Sequence, residues 1–167
     1  LEPLGASEVD PQPAPTLTVA FALVKGERPE LVVQKLTELG IDRIVAFTAE
    51  RSVVRWDDAK ARKQVERLRR VSREAAMQCR RTWLPRVDDL ASFADVVDLP
   101  GAVAADRGGS PLTLAHPTVL IGPEGGWAPD ERRRFATTIG LGEQVLRAET
   151  AALAAGTQLG ALRSGLV

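Results

Sequence analysis

The feature that most constrains this chain is a strand–helix–strand unit near its start. LTVAFALV (17–24) is an almost unbroken apolar run closed by Lys25-Gly26. Pro29 then suits a first helical turn, Leu31, Val32, Leu36 and Leu39 share one face, and Gly40 supplies the residue that ends the helix. IDRIVAF (41–47) is the next strand. Neighbouring strands joined through a helix run parallel, and a parallel sheet must be covered on both faces. GAVAADRG (101–108) and TVLIG (118–122) repeat the short apolar run bounded by glycine or charge.

Between these runs, Asp57 or Asp58 is placed to cap a long helix reaching Arg80. Its apolar positions Ala61, Val65, Leu68, Val71, Ala75 and Cys79 follow the 3.6-residue period. Pro129-Asp130 opens a short helix to Thr137, QVLR (144–147) reads as a last strand, and Glu149 to Arg163 as a final helix. The expectation is an α/β domain over 16–167 with five or six mostly parallel strands flanked by helices. Residues 1–15 hold four prolines and little periodicity, and read as an extended linker.

Composition narrows the chemistry. With 167 residues, 44% of them hydrophobic, the chain suits one folded domain rather than a disordered segment. A single Cys excludes a disulfide framework or a cysteine-based metal cluster. His116, the only histidine, precedes Pro117, so neither a metal site nor a Ser-His-Asp triad is expected. No apolar run is as long as a membrane span, and 1–15 does not resemble a signal peptide, so a cytoplasmic protein is expected. There is no GxGxxG after the first strand and no Walker loop. Charge is unevenly spread: Arg51 to Arg86 carries 12 Arg/Lys against 4 Asp/Glu in a chain of zero formal charge. That stretch is open to two readings, a solvated helix face or a surface for an anionic ligand such as RNA.

Gly122-Pro123-Glu124-Gly125-Gly126 directly follows the strand TVLI, where open α/β sheets bind ligands. A second glycine loop, Gly140-Leu141-Gly142, precedes QVLR. Either loop is explained by a tight turn; together they are suited to clamp a flat heterocycle between backbone and apolar side chains. Arg147 is a charge at the end of QVLR, open to a salt bridge with Glu124 or Glu149. Glu149-Thr150 is placed to cap the last helix.

These segments resemble the RsmE-type branch of the SPOUT methyltransferases. The resemblance runs through QKLTELG (34–40), TAERS (48–52), EAAMQCR (74–80) with Leu84-Pro85, LIGPEGG (120–126), Leu141-Gly142 and VLRAETA (145–151). It implies a mostly parallel sheet with a C-terminal trefoil knot, a homodimer, and S-adenosylmethionine as cofactor, without metal. The implied reaction is methylation of N3 of a specific uridine in 16S ribosomal RNA within the bacterial small subunit. The implied cofactor site comprises Leu120, Ile121, Gly122, Gly125, Gly126, Leu141, Gly142, Val145, Leu146 and Thr150. Arg147 is the first candidate to stabilise the uridine N3 anion, with Arg51 or Arg80 reaching in from the partner subunit. Glu124 is a candidate proton acceptor, or a group that fixes its loop. Arg51, Arg55, Arg62, Lys63, Arg70, Arg80 and Arg132 are candidates for RNA contact. Members of the branch carry a PUA-like RNA-binding domain ahead of this one, and 1–15 resembles the linker after it, so the catalytic domain alone is expected here. Two rival readings are transfer to a ribose 2′-oxygen or a guanine, and a cofactor- or RNA-binding module without transfer.

Overall fold

A computed structural model of the chain describes residues 9–26 and 28–167. The opening unit is β1 (Thr18–Ala22), α1 (Arg28–Glu38) and β2 (Arg43–Thr48), with β1 parallel to β2 from Thr18↔Arg43 to Ala22↔Phe47. There follow α2 (Asp58–Gln78), β3 (Arg86–Val87), β4 (Ala91–Ser92), α3 (Phe93–Val97) and β5 (Ala102–Ser110). The chain ends with β6 (Thr118–Ile121), α4 (Pro129–Arg133), β7 (Thr138–Ile139) and α5 (Ala148–Arg163). The strands lie in the order β3-β2-β1-β6-β5-β7, with β4 also on β2, and all these pairings are parallel.

β1 occupies the middle of the sheet because all five of its residues are buried. Alternation sends Val19 and Phe21 into one core and Ala20 and Ala22 into another. The first core joins Val32, Val33 and Leu36 of α1, Leu68 of α2 and Ala152, Ala155 and Leu159 of α5. The second is aromatic. Trp127 stacks on Phe47 at 6.2 Å between centroids and meets Phe135 edge-on at 5.0 Å, while Phe93 packs tilted against it at 5.9 Å.

Helix starts are fixed by local chemistry. Asp57 caps α2 by accepting from the Lys60 N–H at 2.8 Å. At α3, Ser92 Oγ accepts from the Asp95 N–H, and the Asp95 carboxylate accepts from the Ser92 hydroxyl (2.6 Å) and N–H (2.8 Å). These two bonds, the hydroxyl first, hold the Asp95 carboxyl below its ordinary value.

Several expectations are corrected. Seven strands form among the described residues instead of five or six, since β3 and β4 are two residues each and too short to carry a period. QVLR (144–147) is not a strand: β7 takes the edge beside β5, and the chain from 140 to 147 is a loop in which Val145 is 79% exposed. The N-cap of α5 is Arg147, which makes no side-chain cap bond, rather than Glu149 or Thr150. Leu31 is exposed because α1 buries the stripe Pro29, Val32, Val33, Leu36 and Thr37. α4 ends at Arg133, short of Thr137. β5 is buried only in its first half, and Arg107 and Gly108 face solvent.

The sheet order places β6 between β1 and β5, so the chain leaving β6 crosses to the far side of β5 before returning to lay α5 against β1 and β6. At that crossing the β5 and β7 backbones touch. A Cβ on Gly109 would lie 2.4 Å from the Ile139 carbonyl carbon, so only glycine fits.

Candidate functional site

A cavity of about 300 Å3 opens beyond the carboxyl end of β6. Four segments line it: Ala105–Arg107 of β5, Ile121–Glu124 with Gly126 and Trp127, the loop residues Leu141, Gly142 and Gln144–Leu146, and Ala148 and Ala151 of α5. Its wall is therefore largely glycine backbone and small or aliphatic side chains, with Asp106, Arg107, Gln144 and Glu124 as polar groups.

The glycine loop is shaped by Trp127. A Cβ on Gly122 would sit 2.9 Å from the indole, so glycine is needed to let the ring pass. The indole N–H donates to the Ala105 carbonyl at 3.1 Å, tying the loop to β5. The Gly126 N–H closes a turn on the Pro123 carbonyl at 2.8 Å. Below it, buried Glu131 accepts from the Glu50 N–H (2.8 Å) and the Ala128 N–H (3.0 Å), locking α4 to the loop after β2. That loop holds Arg51 against the glycine turn, where its guanidinium donates to the Gly125 carbonyl at 3.2 Å.

Of the residues expected at the cofactor site, Ile121, Gly122, Gly126, Leu141, Gly142, Val145 and Leu146 line this one cavity, as does Glu124. Leu120 does not, because strand alternation turns its side chain into the aromatic core. Gly125 packs on Arg51, and Thr150 is exposed on α5 outside the lining.

The arginines separate into held and free groups. Arg147 is exposed and makes no hydrogen bond or ion pair among the described residues, while its carbonyl accepts from the Ala151 N–H at 2.8 Å. Neither salt bridge considered for it forms: Arg28 takes both, at 3.1 Å to Glu124 and 3.3 Å to Glu149. Arg51 engages its own chain's loop. Arg55 donates to the Glu50 carbonyl at 3.3 Å, and Arg132 pairs with Asp106 on the cavity wall. Arg62, Lys63, Arg70 and Arg80 are exposed and without partners among the described residues, Arg80 just past α2 with φ 58°.

Trp127, Glu131 and Arg28 were not anticipated. Trp127 and Arg28 act through partners distant in the chain, which no local pattern reports. Glu131 had a faint signal, three residues into a Pro-started helix where a carboxylate reaches back to free N–H groups. Among the described residues no group of three or more His, Cys, Asp or Glu is placed to hold a metal, and no helix is long and apolar enough to cross a membrane.

Comparison with known proteins agrees with this geometry. The sequence model of the RNA methyltransferase domain matches residues 10–160. The ribosomal RNA small subunit methyltransferase E of Mycobacterium tuberculosis is 36% identical over 179 residues, covering 92% of this chain and 66% of the relative. That of Bacillus subtilis is 36% identical over 157 residues, covering 81% and 61%. The chain thus spans just under two thirds of these curated relatives. A solved ribosomal RNA small subunit methyltransferase E from Neisseria gonorrhoeae, bound to S-adenosyl methionine, superposes with a TM-score of 0.76 at 27% identity, over 92% of this chain and 70% of that one. A methyltransferase from Legionella pneumophila, in complex with the same cofactor, gives 0.79 at 30% identity, over 87% and 66%. With a parallel sheet, a glycine-walled cavity at its strand ends and a domain match over 151 of 167 residues, the chain belongs to the RNA methyltransferase domain family.

Proposed function

We propose that this chain uses S-adenosylmethionine to methylate N3 of a uridine in 16S ribosomal RNA, acting as a homodimer. The observation that carries the reading is the cavity itself. Its walls fit an adenosine: Gly126 and Gly142, open where a side chain would stand, admit close backbone approach, and Ile121, Leu141, Val145, Leu146, Ala148 and Ala151 offer apolar surface for a flat ring. When bound, the cofactor supplies an electrophilic methyl group on a sulfonium.

The chain's own groups do the rest. Uridine N3 must shed its proton before or as the new N–C bond forms, leaving negative charge shared with the uracil O2 and O4. Arg147 is free to meet that charge, since its main chain holds the first turn of α5 while its guanidinium is uncommitted. Glu124 is already engaged by Arg28, which donates to its carboxylate at 3.1 Å. That favours loop fixation over proton acceptance. The exposed cations Arg62, Lys63, Arg70 and Arg80 suit phosphate contacts, which position RNA without reading its sequence.

The reading is tested in two steps. Calorimetric titration should show S-adenosylmethionine binding to the parent chain. Val145→Asp should weaken it by about tenfold or more, because a carboxylate set against the ring must stay solvated; Val145 is exposed, so folding should be unaffected. Undermodified small subunits incubated with the chain should then yield 3-methyluridine by nucleoside mass spectrometry. A ribose-methylated nucleoside instead, or equal cofactor affinity in the variant, would overturn the acceptor or the site respectively.

A further inference from the structure

We propose that Arg28 is the positioning residue of this cavity, clamping the glycine loop to the first turn of α5 through one guanidinium nitrogen. Arg28 opens α1, remote in sequence from both partners. Its Nη1 donates to Glu124 Oε1 at 3.1 Å and lies 3.3 Å from Glu149 Oε1. Glu124 belongs to the lining loop, and Glu149 is flanked by the lining residues Ala148 and Ala151. The two sides of the cavity therefore meet at one cation.

The contact with Glu124 lies at the surface, but the one with Glu149 reaches a largely buried carboxylate. The Glu149 side chain is 14% exposed, and its Oε2 is buried with no hydrogen-bond partner. Without Arg28, two carboxylates would border the cavity with no cation between them, and the loop would be free to move away from α5. A ligand held between loop and helix gains from finding them already joined, because ordering them on binding costs affinity. The inference rests on the cofactor reading above for its purpose, but the clamp can be read without ligand.

The experiment measures hydrogen exchange at the Gly126 and Ala151 amides, which report the loop turn and the α5 turn, beside calorimetric titration with S-adenosylmethionine. Arg28→Met should speed exchange at both amides and weaken the cofactor by about tenfold, the upper end of what ordering one side chain on binding costs. Arg28→Lys should recover most of both, because a single nitrogen makes both contacts and the guanidinium fork is not used. Should Arg28→Met unfold, Arg28→Met with Glu149→Gln removes the stranded charge and should still bind weakly. Exchange and affinity within about twofold of the parent in Arg28→Met, or in the double variant where the single one unfolds, would overturn the clamp. Failure of the parent chain to bind would instead reject the cofactor reading, and the exchange data alone would then decide the clamp.

Discussion

Arg147 and Gly122 show how far a single residue's environment sets its use. Arg147 is exposed and unpaired, so Arg147→Ala should leave melting temperature and cofactor affinity unchanged. Single-turnover methyl transfer should fall by a factor of a few hundred, or about 3–4 kcal/mol, the scale of one lost electrostatic donor. Arg147→Lys should rescue only partly, since a point charge does not reproduce the planar fork. A weakened cofactor site and a lower melting temperature together would show a structural role instead. Gly122 behaves differently. A branched side chain there meets the indole of Trp127 before any ligand, so Gly122→Val should lower thermal stability and disturb the Trp127–Ala105 bond. Overpacking of this kind typically costs about 1–3 kcal/mol. Unaltered tryptophan fluorescence and melting temperature would contradict that placement.

Among the elements, α3 carries a pH signature. Its capping box holds the Asp95 carboxyl below the ordinary value, so the folded state binds that proton less readily than the unfolded chain does. The contribution is therefore complete above the unfolded value, about 4, and disappears as pH falls through the folded one. Asp95→Asn should melt lower than the parent at pH 7, and the gap should close on acidification. A gap independent of pH would mean that the carboxylate's charge is not what the cap uses. Elements differ in how legible they are from sequence. β1, α1, β2, α2, β6 and α5 each carry a period or an apolar run long enough to declare themselves. β3, β4 and β7 have two residues each and exist because a neighbouring strand pairs with them. The apolar pair Val145-Leu146 suggested a strand, yet its side chains line a cavity.

For the whole molecule, the prediction concerns assembly. Val145 and the exposed Met77, Leu84 and Val53 leave apolar surface uncovered in the single chain. Sedimentation should show a dimer at micromolar concentration, and a stable monomer that still binds the cofactor would reject the homodimer. The basic stretch 51–86 is largely a solvated surface in the single chain. Arg69 and Arg81 are bound to carboxylates, while Arg62, Lys63, Arg70 and Arg80 remain available.

Hydrophobic period, helix caps and the placement of glycines determined the α/β class, the parallel opening unit and the glycine loop after β6 where the cavity lies. All of these depend on residues within a few positions of one another. Tertiary structure alone decided which neighbours those residues met: Trp127 on the Ala105 carbonyl, Glu131 under the loop after β2, and Arg28 between Glu124 and Glu149. Such contacts join residues up to 121 positions apart, and sequence spacing does not encode which distant side chain arrives, because that depends on how the sheet orders its strands.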